Sequence, residues 1–211
     1  KKRMYSVYRK SCFVMNSLAF ICCAGFIACI QDFIYIVFGS NFVLSFSCVL
    51  ILVFSMLIYL LDIPIISVQN AMGLHRCDAG VMIIQAVLAI ACGYGAGKVW
   101  GMEGILLGLT IPTVIFTFIH KGIVISKVAF EVTSYKYLKD MGSDLIKGIV
   151  IIGVISAICN CIPAWNPVIA MILKGILSVI ISGILIIAFS FKSEYFKETL
   201  AMLMRVLKLQ K

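Results

Sequence analysis

The sequence predicts an all-α, polytopic membrane protein, a bundle of six transmembrane helices, and three observations predict it. First, 63% of the 211 residues are hydrophobic and only 13% are charged, with a mean hydropathy of +1.12. Soluble domains sit nearer about half apolar and about a quarter charged. Second, the apolar residues gather into runs that reach the ~20 residues needed to cross a bilayer. Third, the basic residues are sorted: 16 of the 18 Lys and Arg fall on one set of alternating connections.

Residues 1–12 form a basic lead-in with Lys1, Lys2, Arg3, Arg9 and Lys10. Lys1 stands where an initiator Met is expected and no signal peptide precedes it, so the chain reads as part of something longer. The six-helix lobe is expected over 13–191, with spans at about 13–38, 43–71, 79–95, 102–123, 146–162 and 167–191. The breaks between them carry turn residues: Gly39, Ser40 and Asn41; Gly73 to Arg76; Gly93 to Gly101; and Pro163 to Pro167. The third and fifth spans are short and glycine-bounded. In the fourth, Gly104 and Gly108 have the small-xxx-small spacing that lets helices approach closely. Pro112 in the same span is a place for a bend.

Two basic pieces are more than linkers. Residues 127–147 mix Phe130, Tyr137 and Leu138 with lysines, and 192–211 form an amphipathic tail with Phe196, Leu200, Leu203, Met204 and Leu207 on one stripe. Each reads either as a helix lying on an anionic leaflet or as a helix packed on the end of the bundle.

The positive-inside rule turns the charge asymmetry into an orientation, with both termini cytoplasmic. Only Lys98 falls on the opposite side, and Lys174 lies within a span. This accounts for the net charge of +9 without nucleic acid as a partner. Tyr94, Trp100 and Trp165 fall near the outer boundary, where amphipathic rings prefer the interface. The nine cysteines lie mostly inside apolar runs, where they act as small hydrophobes. Cys159 and Cys161 have a spacing that suits no common zinc site.

Three charges stand inside predicted spans: Asp32, Asp62 and Lys174. Intramembrane ionisable groups are costly and mark candidate sites. Asp32 precedes Gly39 by seven residues and Lys174 follows Pro167 by seven. Both therefore lie about 10 Å below the outer boundary at ~1.5 Å per residue. They read as a mutually neutralising pair or as the lining of a polar cavity; Lys174 alone could also snorkel to the surface. Asp62 falls towards the cytoplasmic side and has no partner on depth alone. Gln69 and Asn70 continue a polar trail from it to the loop, so it reads either as satisfied by a neighbouring helix or as part of a wet path. Pro64 beside it removes a backbone donor from the helix.

Catalytic signatures are absent: the chain has no G-x-S-x-G, no H-E-x-x-H and no P-loop. His75 and His120 sit near cytoplasmic span ends and read as interface residues. Asp32 and Asp62 do not share the depth that intramembrane proteolysis by paired carboxylates needs. A transporter rather than an enzyme is expected, with no metal and no cofactor beyond a coupling H+ or Na+.

The run Gly73, Leu74, His75, Arg76, Cys77, Asp78, and then Gly101-Met102-Glu103-Gly104-Ile105 leading to Thr110, resembles the polysaccharide flippases. These are the Wzx-type O-antigen and capsular repeat-unit exporters of the multidrug/oligosaccharidyl-lipid/polysaccharide superfamily. Phe38 to Phe42 is similar to the family's short outer turn. The resemblance implies a carboxy-terminal six-helix lobe, with an amino-terminal lobe of the same chain as its partner. It implies transport of undecaprenyl-diphosphate-linked oligosaccharide across the bacterial inner membrane by alternating access. Asp32, Asp62, Gln69, Asn70 and Lys174 would then line a substrate or ion cavity, and Arg76 would meet the headgroup. Membrane lipids, polysaccharide polymerase and glycosyltransferases are the implied partners. Rival readings are a cation-coupled multidrug exporter of the same superfamily, a membrane-embedded polymerase or glycosyltransferase, and a structural membrane subunit.

Overall fold

The computed structural model describes residues 2–73, 75–121, 124, 130, 133–161 and 166–190; the tail at 192–211 and the connection at 162–165 lie outside them. Among the described residues the fold is entirely helical: α1 (Lys2–Phe38), a short 3-10 turn (Ser40–Phe42), α2 (Phe46–Met72), α3 (His75–Val114) continuing into a π-helical turn (Ile115–Lys121), α4 (Ser134–Asn160) and α5 (Pro167–Ser190). Five of these helices are long and apolar enough to cross a membrane. The molecule is an apolar multi-helix bundle of the polytopic membrane type.

Six spans are expected and five helices are found because the third and fourth spans are two arms of α3. Gly101 interrupts it with φ 60° and ψ −133°, a backbone conformation essentially reserved for glycine. Beyond that residue the chain doubles back. A Cβ at Gly104 would lie 2.1 Å from the Ala96 carbonyl oxygen, and one at Gly108 would lie 2.4 Å from the Gly93 nitrogen. Further along, Gln85 Nε2 donates to Thr113 Oγ1 at 3.3 Å. These pairings run antiparallel about Gly101, so the small-xxx-small spacing serves contact between the arms. Pro112 sits just before the π-helical turn, where its missing N–H loosens the α-helical ladder.

Two expected boundaries move. The basic lead-in at 1–12 is already helical from Lys2 and continuous with α1, with Tyr5, Tyr8 and Cys12 buried. The fifth span, expected at 146–162, starts at Ser134. Both shifts have one cause. Tyr5, Tyr8, Cys12, Ile65, Phe130, Tyr137 and Met141 form a second core at this end of the bundle. The Tyr8 ring stacks on Phe130 with centroids 4.8 Å apart. For the described part of 127–147, packing on the bundle is therefore the arrangement found.

The main core joins four helices. Phe20, Cys23, Ala24 and Ile27 of α1 meet Val49, Val53 and Leu57 of α2, Ile151, Ile152 and Ile155 of α4, and Ile186 of α5. α1 is central, packing on α2, α4 and α5, while α3 packs on α2. Along the α1–α5 seam the residues are small. Ser178 and Ser182 are fully buried, and each hydroxyl donates to a carbonyl of its own helix, Gly175 O at 2.8 Å and Val179 O at 3.0 Å. Small residues let backbones approach in a bilayer, where dispersion contacts rather than water drive helix association.

Candidate functional site: charge pairs at the two ends of the bundle

The bundle has two chemically distinct ends. The 39–45 connection and the reversal at Gly101 meet at one of them. Ser45 caps α2 by accepting from the Cys48 N–H at 3.2 Å, and its hydroxyl donates to Glu103 Oε1 at 2.7 Å, two residues beyond Gly101. Gln31 Nε2 donates to the Leu44 carbonyl at 2.9 Å, which fastens α1 to the same turn. Arg9, Lys121, Lys136 and Lys147 belong to the other end, which we call the basic end. There α2 stops at Gly73, whose left-handed backbone places its N–H on the Asn70 carbonyl at 3.3 Å.

Asp32 and Lys174, matched by depth in the sequence, meet in the structure. Lys174 Nζ donates to Asp32 Oδ2 at 2.7 Å, with the two side chains only 13% and 14% exposed. The pair bridges α1 and α5 one turn from Cys29, whose thiol points at the Met171 carbonyl at 3.5 Å. A carboxylate and an ammonium in hydrocarbon satisfy each other only when geometry brings them into contact.

Asp62 has a partner that depth counting does not supply. Lys121, the last residue of the π-helical turn, donates from Nζ to Asp62 Oδ2, and both side chains are nearly buried. The bond ties the end of the α3 hairpin to α2. Gln69, two turns along α2 from Asp62, is buried, whereas Asn70 is exposed. The expected trail therefore splits: Asp62 and Gln69 share a buried face and Asn70 points away from it. Arg76 lies in the first turn of α3, but its side chain is outside the described residues.

A third cluster is one that the sequence reading misses. Asp144 of α4 accepts from Arg9 Nη1 at 2.9 Å, Asn16 Nδ2 at 3.1 Å and Lys147 Nζ at 3.1 Å. Asp140, one turn earlier, accepts from the Tyr5 hydroxyl at 2.6 Å and lies 3.8 Å from Arg9 Nε. Asn16 and Asp144 are buried, so this is an interior network joining α1 to α4. The sequence does carry a signal: Asp140, Asp144 and Lys147 recur at helical spacing on one face, as do Arg9 and Asn16. The expectation that 127–147 lies outside the bilayer span conceals it.

No family model, no curated protein and no solved structure matches the chain. The fold and the charge pairs define its class: a compact bundle of long apolar helices, consistent with a membrane transport-type protein.

Proposed function

We propose that the chain is one lobe of a two-lobe flippase that carries undecaprenyl-diphosphate-linked oligosaccharide repeat units across the bacterial inner membrane by alternating access. The α3 hairpin supports the six-crossing count that such a lobe requires, with both ends of the segment on one side. The observation that carries the reading is the set of three acid–base contacts buried between apolar helices, two at the basic end and one at the other. Stability alone does not require them, because hydrophobic replacements of similar volume are often no less stable, and ionisable groups inside a membrane mark candidate transport paths. A sugar chain cannot cross hydrocarbon, since each hydroxyl would lose its hydrogen bonds to water. A polar path between two lobes replaces that water while the lipid tail stays in the bilayer.

In this mechanism the Asp32–Lys174 and Asp62–Lys121 pairs brace the lobe, and exchange of these partners for substrate hydroxyls or a coupling H+ or Na+ accompanies the change of access. The resemblance to the flippases assigns the diphosphate headgroup to Arg76 on the cytoplasmic side. The test is the leaflet distribution of radiolabelled lipid-linked oligosaccharide in vesicles from cells that have lost the gene. Accumulation on the cytoplasmic leaflet, reversed by the intact gene, is expected. Unchanged distribution in the deletion overturns the assignment.

A further inference from the structure

Two polar contacts join α2 to the second arm of α3 and its π-helical turn: Ser45 to Glu103 near the reversal, and Lys121 to Asp62 at the basic end. Between these contacts the two elements stand apart and leave a groove of about 420 Å³. Leu50, Ile51 and Phe54 line one wall, and Leu107, Ile111 and Ile115 the other. Leu50, Ile111 and Ile115 are 39%, 52% and 46% exposed, so the groove opens sideways into the bilayer. Thr110 also lines it, but its hydroxyl is turned back on its own helix and donates to the Leu106 carbonyl at 2.7 Å.

The walls therefore offer an occupant dispersion contact and no hydrogen bond. Left unfilled, they would lack partner atoms on one side, and space lined by carbon does not hold water. Helices meet in a bilayer over small residues. The close approaches within this chain follow that rule, at Gly104 and Gly108 in the hairpin and at Gly25 beside Ser178. The groove walls are branched or aromatic apart from Thr110, so a flexible hydrocarbon chain follows them more closely than a helix does.

The end near the reversal selects the head. Glu103 stands four residues before Leu107, one turn along the same helical face, so its carboxylate lies at the end of the groove. It accepts from Ser45, which brings no charge. Among the described residues the ion pairs engage Asp32, Asp62, Asp140 and Asp144 and leave Glu103 without a cation. Lys98, on the first arm, lies over the Tyr94 ring at 4.5 Å. A carboxylate above an apolar groove complements an ammonium that can donate N–H bonds.

We propose that this groove binds an amine-bearing phospholipid of the phosphatidylethanolamine type, with its ammonium on Glu103 and one acyl chain between α2 and the second arm of α3. The assignment holds whatever the lobe transports.

Native mass spectrometry of the full chain, released from detergent with equal phosphatidylethanolamine and phosphatidylcholine of identical acyl chains, tests it. The two lipids carry the same net charge, so the basic end does not separate them; only the ethanolamine head donates N–H bonds. Phosphatidylethanolamine is expected to be retained about fivefold over phosphatidylcholine, the worth of one net hydrogen bond. Glu103→Gln, which keeps an acceptor for Ser45, should bring the ratio near one. Ile111→Trp, at an exposed wall position, fills the groove and should reduce retention of both lipids. Lys98→Gln should leave the ratio unchanged. Equal retention of the two lipids by the unaltered chain overturns the site, as does an unchanged ratio in the folded Glu103→Gln variant. Full retention of both lipids by Ile111→Trp overturns the placing of the acyl chain. A lipid-free dimer that Ile111→Trp dissociates would give the groove to a second copy of the chain instead.

Discussion

At the scale of single residues, the charge pairs are asymmetric in their consequences. Removing one partner strands a charge in a low-dielectric interior, whereas removing both leaves an apolar contact. Lys174→Met is therefore expected to cost about 3 kcal/mol, and Asp32→Leu combined with Lys174→Met to recover most of it. Thermal unfolding in detergent measures both. If the double variant melts like the parent and still transports, the pair is a structural staple rather than part of the path. Lys121→Met should be similarly costly, on the order of 3 kcal/mol, because it leaves Asp62 in the interior. Asn70→Ala, at an exposed site, should stay within about 0.5 kcal/mol of the parent. The Asp32–Lys174 contact is legible in the sequence because each residue lies seven positions from a turn at the same end. The Asp62–Lys121 contact is not, because Lys121 counts with the cytoplasmic lysines and nothing in the pattern reveals that a π-helical turn brings it onto α2. Asp144 and Arg9 are hidden for a related reason. Charges near a span end read as surface groups, while the aromatic packing of Tyr5, Tyr8 and Tyr137 carries both helices past that end.

At the scale of elements, α3 is the part whose chemistry is plainest in the sequence and whose shape is least so. Its glycines indicate close helix contact, but spacing alone does not say whether the contact is with a neighbour or with the helix's own second half. The geometry answers that through Gly93, Ala96, Gly104 and Gly108. Gly108→Leu is expected to force the arms apart, since a Cβ there already falls within 2.5 Å of Cys92 and Gly93 backbone atoms. A cysteine pair introduced at Gln85 and Thr113 reports the result: it should cross-link readily in the parent hairpin and poorly in the Gly108→Leu variant. Gly101→Ala should cost about 1–3 kcal/mol through backbone strain alone, measured as a lowered melting temperature. By contrast, α2 keeps its helix from Phe46 to Met72 through Pro64, so this proline does not end the element.

At the scale of the whole molecule, the two ends differ in charge and the bundle between them is apolar. The orientation that follows is testable by fusing a reporter that is active only outside the cytoplasm. Fusions after Ser40 and after Gly101 should be active, and fusions after Gly73 and after Thr133 inactive; the inverse pattern would reverse the proposed sidedness. The all-α class and the long apolar spans are plain from composition and run length. The way they assemble is not, because a greasy helix presents the same residues to lipid and to protein. α1 illustrates this: its close approach to α5 uses small residues such as Gly25, where a Cβ would lie 4.0 Å from Ser178 Oγ, a preference that hydropathy does not record.

In the proposed orientation, the reversal at Gly101 also bears on how the molecule is seen from outside the cytoplasm. A hairpin that turns on one residue offers almost no loop to an antibody, a protease or a phage receptor-binding protein. On this side of the lobe, the 39–45 connection is the one described stretch with room for an inserted epitope, because it lies between two helices rather than inside one. A tag placed there should report surface display of the folded protein, whereas the same tag at Gly101 would separate the arms it was meant to report on.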